Sequence, residues 1–179
     1  MKVLGPKNII HEGRYIRFVQ HKNWEYVERT NCKGVVIIVA VTDDNKILFV
    51  EQYRPPVGKN VIELPAGLVN DEWEYRGESL LSAAKRELVE ETGYKAKRMV
   101  KLVEGPVSGG LTSDMVTIVR ALGLTKVAKG GGTGIERLVI HEVPLQTVRG
   151  WLKRKERQGC LIEPKIFAGL YFITNEKKI

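Results

Sequence analysis

The longest apolar run, Val35 to Val41 within GVVIIVAV, shows no polar alternation, which predicts a strand buried on both faces. TDDNK (Thr42 to Lys46) reads as a turn, with Ile47 to Gln52 as the partner strand of a hairpin. Upstream, Ile9-Ile10, Tyr15 to Gln20 and Trp24 to Arg29 form an amphipathic meander broken by turns at His11 to Arg14 and His21 to Asn23. Downstream, the prolines and glycine of Tyr53 to Asn60 predict a loop, and Val61 to Leu64 a short strand. The period then changes. Leu81, Ala84 and Leu88 recur at i, i+3 and i+7, which predicts a helix from about Ser79 to Thr92, stopped by Gly93. Ala96 to Glu104 and Met115 to Leu122 read as strands around a loop at Gly105 to Asp114. Lys126 to Gly134 holds four glycines and is predicted mobile. Glu136 to Val143 is a strand and Pro144 to about Gln158 a basic amphipathic helix. Pro164 opens a last helix with Ile166, Phe167, Leu170 and Tyr171 on one apolar face. This order predicts an α/β domain with a mixed β-sheet sandwiched between α-helices, preceded by an antiparallel meander.

Composition narrows the class. A chain of 179 residues, 43% hydrophobic and 28% charged, fits a single globular domain over residues 1–179. The net charge of +8 suits an anionic ligand such as a phosphate ester, and equally a solvated lysine face. The charge is spread along the chain and no nucleic-acid-binding motif accompanies it, so a nucleic-acid partner is not expected. Cys32 and Cys160 have no CxxC spacing, which argues against a zinc ribbon, a redox motif or a disulfide framework and suits reduced thiols in the cytoplasm. The N-terminus lacks a signal-peptide core, and no apolar run approaches the roughly 20 residues a membrane helix needs. His11, His21 and His141 show no ligand spacing.

The chemistry concentrates on the first helix. Glu87, Glu90 and Glu91 lie at i, i+3 and i+4 and project within about 100° of arc. Such like-charged pairs repel by a few tenths of a kcal/mol each, and Arg86 pairs with Glu90 at i+4 to relieve only part of this. A hard divalent cation such as Mg²⁺, which binds carboxylate oxygens and keeps other positions for water or phosphate, relieves the rest. A solvated acidic face is the alternative for a bare ExxEE pattern.

The wider context supports the cation. RELVEETGY (Arg86 to Tyr94), with Glu78 eight residues before Arg86, resembles the Nudix hydrolase box: glycine, five residues, Glu, seven residues, then Arg-Glu-aliphatic-x-Glu-Glu-x-Gly. Glu78, Arg86, Glu87, Leu88, Glu90, Glu91 and Gly93 all fit. The opening glycine matches Gly67 in Leu64-Pro65-Ala66-Gly67, which leaves about five extra residues within Asn70 to Gly77. Glu51 to Pro56 (EQYRPP) and Glu63 to Gly67 (ELPAG) resemble the branch that hydrolyses ADP-ribose and nucleotide sugars. The resemblance covers roughly residues 30–150 and implies the Nudix fold.

It also implies site roles. Glu87 and Glu91 would ligate Mg²⁺ with the Ala66 carbonyl, and Glu90 would be a third acidic ligand or hold a water. Gly67, Glu78, Arg86 and Gly93 would be structural. Two or three cations (Mn²⁺ as a substitute) would neutralise the diphosphate and activate water. The branch places its general base eight residues before the proline that opens the following helix. Counting back from Pro144 gives Glu136, with Glu142 as competitor. Arg54 would clamp phosphate oxygens, Trp24 and Tyr53 would stack on a base, and Glu63 and Leu111 would line the substrate site. Gly109 stands where many ADP-ribose hydrolases carry a proline, which points to a broader nucleoside diphosphate sugar hydrolase that includes ADP-ribose. A homodimer is implied, with residues 1–30 at the interface or lining the partner's site. The competing functions are an RNA 5′-end or dinucleoside polyphosphate pyrophosphohydrolase, and a non-catalytic nucleotide-sugar sensor. The intact box argues against the sensor.

Overall fold

The computed structural model describes residues 5–70, 75, 77–132 and 137–175. Three antiparallel strands, β1 (Asn8–Glu12), β2 (Ile16–His21) and β3 (Trp24–Arg29), form the expected meander. β1 runs further than its apolar residues suggested. His11 and Glu12 pair with Phe18 and Arg17, so the first turn is shorter than His11 to Arg14. The meander buries little beyond Val19 and Glu28. Glu28 is held by Lys7 at 2.5 Å and by Arg17 Nη2 at 2.7 Å.

Two four-stranded sheets follow. β4 (Gly34–Ala40), β7 (Ala66–Val69), β8 (Tyr94–Pro106) and β9 (Met115–Lys126) take the order β7-β4-β9-β8. β5 (Lys46–Arg54), β6 (Lys59–Glu63), β10 (Val139–Pro144) and β11 (Leu161–Ile162) take the order β10-β5-β6-β11. Both are mixed, since β4 runs parallel to β9 and β6 parallel to β11.

The expected hairpin between the apolar run and Ile47 to Gln52 does not form. β4 and β5 lie in different sheets and share a single bridge, Val41 to Ile47. Both edges of β4 are taken by β7 and β9, and both edges of β5 by β10 and β6, so neither ladder has an edge left for the other. The loop expected over Tyr53 to Asn60 also contracts. β5 continues to Arg54 and β6 begins at Lys59. The two prolines sit in a 3-10 turn, Pro55–Val57, where an N–H is dispensable, and Gly58 at φ 64° closes it.

The run without alternation serves two cores. Val36, Ile38 and Ala40 join Leu48 and, from α1 (Leu80–Thr92), Ala84 and Leu88. Ile37 and Val39 join Ile47, Phe49, Val148 and Leu152 of α2 (Val148–Arg157), and Ile166 of α3 (Lys165–Thr174). Helices therefore cover both faces, which is the sandwich the sequence predicts.

α1 begins within a residue of the expected start: the Ser79 side chain caps it by accepting from the Ser82 amide, and Gly93 at φ 75° ends the helix. Its apolar stripe is Leu80, Ala84 and Leu88 at i, i+4 and i+8, with Ala83 beside it, while Leu81 is exposed. The face expected on α3 also splits: Ile166 is buried, and Phe167 and Tyr171 are exposed. Among the described residues, no helix is long and apolar enough to cross a membrane.

Candidate active site

β7 carries Ala66 and Gly67 against the acidic face of α1. A side chain on Gly67 would overlap the Glu87 carboxylate, so the glycine is required by close approach rather than by backbone conformation. The Ala66 amide donates to Glu91 Oε2 at 3.0 Å, and Glu91 is only 7% exposed. β7 is held in turn by β4, whose Ile38 amide donates to the Pro65 carbonyl at 2.7 Å.

Arg86 is the hub of the acidic group. Its Nη2 donates to Glu78 Oε1 at 2.9 Å and to the Leu68 carbonyl at 3.2 Å. Its Nη1 donates to Glu87 Oε1 at 2.8 Å and to Glu90 Oε2 at 3.2 Å. Burial works against the Arg86 charge, but the Glu78 hydrogen bond and the nearby Glu87 outweigh it and hold its pKa above the ordinary value. Glu78 precedes the helix cap, and its role here is this ion pair.

The C-terminal end of α1 is tied to the glycine-rich stretch. The amides of Gly131 and Gly132 donate to the Glu91 and Glu90 carbonyls at 2.8 and 3.1 Å. The described part of the stretch expected to be mobile is thus bonded to the helix that carries the carboxylates. Glu136, the expected general base, lies outside the described residues, as do Thr133 and Gly134. Its competitor Glu142 accepts from Lys126 Nζ and from the Tyr94 hydroxyl, both at 2.8 Å. Those two donors keep the Glu142 carboxyl below the usual carboxylate range, which suits an ion pair and not a base.

A second polar group lies on the neighbouring sheet. Arg54 Nη2 donates to Glu63 Oε2 at 2.7 Å, and Gln52 Nε2 to the same oxygen at 3.0 Å. Glu63 is buried while the Arg54 side chain is 45% exposed, so the carboxylate anchors a guanidinium that faces outward. Gln52 was not singled out from the sequence, although it shares a strand face with Arg54 at i, i+2. Two residues, Leu64 and Pro65, separate Glu63 from Ala66, about 10 Å of extended chain.

Trp24, Tyr53 and Leu111 are 63%, 59% and 60% exposed. The first and last of these regions are joined, since the Val27 amide donates to the Leu111 carbonyl at 2.9 Å and the Arg29 side chain donates from Nε to Asp114 Oδ2 at 3.1 Å. The meander is thereby docked on the 108–114 loop.

A further cluster carries no spacing signal along the chain. Glu51 accepts from Lys155 Nζ at 2.7 Å and from Asn60 Nδ2 at 3.0 Å, and pairs with His141 Nε2 at 2.9 Å. Trp151 stacks on Phe49 beside it. Burial opposes the Glu51 charge, but Lys155 and His141 prevail and lower its pKa to about 2. His141, which shows no ligand spacing, therefore has a structural partner.

Oxygen donors are what a hard divalent cation takes, and Glu87 and Glu91 flank a backbone segment bare of side chain at Gly67. The residues fit such an ion in kind. Among the described residues, no three carboxylate, imidazole or thiolate groups stand arranged to enclose one.

The NUDIX domain model matches residues 33–127. A methanol dehydrogenase activator of Bacillus methanolicus is 35% identical over 123 residues, 68% of this chain and 64% of that protein. An ADP-ribose pyrophosphatase of Bacillus subtilis (strain 168) is 36% identical over 131 residues, 68% of each chain. An ADP-sugar pyrophosphatase of Mus musculus is 32% identical over 112 residues, 53% of this chain and 49% of that one. The chain thus spans from about half to about two thirds of the length of these relatives. A solved structure titled an ADP compounds hydrolase has a TM-score of 0.71 at 20% identity, covering 97% of this chain and 92% of its own, and shows the same fold.

Proposed function

The chain belongs to the NUDIX family, and from that premise we propose that it hydrolyses the diphosphate linkage of nucleoside diphosphate sugars, ADP-ribose among them. The products are a nucleoside monophosphate and a sugar phosphate. The observation that carries this reading is the wall formed by α1 and β7, where Glu87 and Glu91 face the bare backbone at Gly67. The names of the Bacillus subtilis and mouse relatives support the substrate class.

Glu87 and Glu91, with the Ala66 carbonyl and Glu90, would hold two or three Mg²⁺ ions, for which Mn²⁺ would substitute. When bound, the ions supply charge neutralisation on the diphosphate and activation of water. Arg86 and Glu78 keep the carboxylates oriented, and Gly93 ends the helix that presents them. Arg54, steadied by Glu63, clamps a phosphate group. Trp24, Tyr53 and Leu111 receive the base and sugar. Glu136 accepts the proton of the attacking water, a role for which the paired Glu142 is unsuited. The exposed Ile9, Ile10, Tyr15 and Ile16 of the meander support a homodimer through residues 1–30, and sedimentation equilibrium at twice the chain mass checks it.

The test is a screen of ADP-ribose, GDP-mannose, UDP-glucose and dinucleoside polyphosphates with Mg²⁺, with products separated by chromatography. Cleavage of the sugar nucleotides to two monophosphates is expected. Activity confined to the polyphosphates overturns the substrate assignment.

A further inference from the structure

The insertion within Asn70 to Gly77 lies between β7 and α1. Its ends are drawn together by one side chain. Asn70, at φ 60°, donates from Nδ2 to the Glu78 carbonyl at 3.2 Å, and its Oδ1 accepts from the Gly77 amide at 2.5 Å. The Asn70 amide points at Glu78 Oε1, at 3.4 Å, the oxygen that also receives Arg86. Between these ends, the Glu78 amide donates to the Tyr75 carbonyl at 3.0 Å. The Tyr75 ring lies over the Arg86 guanidinium, its centroid 4.0 Å from Cζ.

That contact matters because of what Arg86 holds. Its N–H groups donate to Glu78, Glu87, Glu90 and the Leu68 carbonyl. An aromatic ring over the guanidinium carbon leaves those donors in use, adds attraction to the charge and excludes water from one side. With less water, each ion pair of Arg86 strengthens. The ring also limits movement of the guanidinium away from Glu87 and Glu90.

We propose that Tyr75, carried in by the insertion, is a positioning residue that sets the cation affinity of the carboxylate wall through Arg86. The proposal rests on the wall being the cation site. The ring acts on the guanidinium, and the guanidinium fixes the carboxylates before the cation arrives, so less ordering remains when it binds. The insertion thereby compensates for its own length by supplying a clamp from within.

Two substitutions separate this from simple loop packing. Tyr75→Phe keeps the ring, and Tyr75→Leu keeps apolar bulk without a π face. In the metal-free protein, NMR of the Arg86 Nε–H is expected to show a ring-current shift and slow exchange in wild type and Tyr75→Phe, and faster exchange without the shift in Tyr75→Leu. Mn²⁺ titration by electron paramagnetic resonance is expected to give equal affinity for wild type and Tyr75→Phe. Affinity should fall roughly 2- to 20-fold for Tyr75→Leu, the range a cation–π contact supports. Equal affinity and equal Arg86 exchange in Phe and Leu variants overturn the proposal. Mn²⁺ binding that Glu91→Gln leaves unchanged overturns instead the cation reading beneath it.

Discussion

The carboxylate wall and the surface expected to receive the nucleotide are built in opposite ways. Glu91 is buried and the Glu87 side chain is 12% exposed, and both are bonded and backed by a capped helix whose apolar stripe packs on the core. Trp24, Tyr53 and Leu111 are each more than half exposed. The difference follows from their tasks. Charges gathered on one face must be held in place before a cation or phosphate arrives, because disorder there weakens every electrostatic term. A recognition surface can order around its ligand, at some cost in affinity and with some gain in breadth.

Removing the hub breaks the contrast most severely. Arg86→Ala leaves Glu78 and Glu87, each with a side chain 12% exposed, without their guanidinium. A loss of about 3–5 kcal/mol is expected, read as a lowered urea midpoint, because unpaired buried charges remain. A loss under about 1 kcal/mol would mean that the wall is not held as described.

Glu51 sharpens the contrast, since it is a carboxylate held as firmly as the wall but assigned no chemistry. Its folded pKa of about 2 lies below the ordinary 4.5, so the unfolded chain takes up the proton first. Its stabilisation is therefore complete above about pH 4.5 and is lost as pH falls through about 2. Urea unfolding between pH 6 and pH 2 is expected to show an acid-dependent loss on the order of 2 kcal/mol in the wild type that Glu51→Gln lacks. Parallel pH profiles for the two proteins would remove Glu51 from the account.

The smallest effects belong to the exposed surface. Trp24→Ala, Tyr53→Ala and Leu111→Ala should each leave stability within about 0.5 kcal/mol of wild type. They should raise KM several-fold for some sugar nucleotides and not others, with kcat little changed. A large fall in kcat from any of them would move that residue into the wall's class.

How much of this could be read beforehand depends on how local the cause is. Helix α1 was legible from end to end because Ser79, Arg86, Glu87 and Gly93 act within a few turns of one another. Gly67 and Ala66 were legible through the resemblance, although the reason for the glycine, the Glu87 carboxylate against it, needs coordinates. The β4–β5 hairpin failed because strand pairing is decided by which edges other strands occupy, and β9 reaches β4 from far along the chain. Leu81 was misplaced because i, i+3, i+7 and i, i+4, i+8 stripes lie close together on a helix, and packing chooses between them. Glu51, His141 and Lys155 carry no mutual spacing signal, since three separate elements bring them together. Tyr75 was hidden for a different reason: it lies in the stretch where the chain departs from the family's spacing.

The central claim is that the α1–β7 wall performs the hydrolysis, and Glu91→Gln tests it most directly. The glutamine keeps an oxygen to accept from the Ala66 amide, so the fold should survive, while the charge a cation needs is gone. Wild type and variant are incubated with ADP-ribose and Mg²⁺ in ¹⁸O-labelled water, and the products are weighed by mass spectrometry. The account predicts that the wild type yields two monophosphates with one labelled oxygen between them, and that the variant is slower by about 100-fold or more at an unchanged unfolding midpoint. Turnover of the variant at the wild-type rate would contradict it.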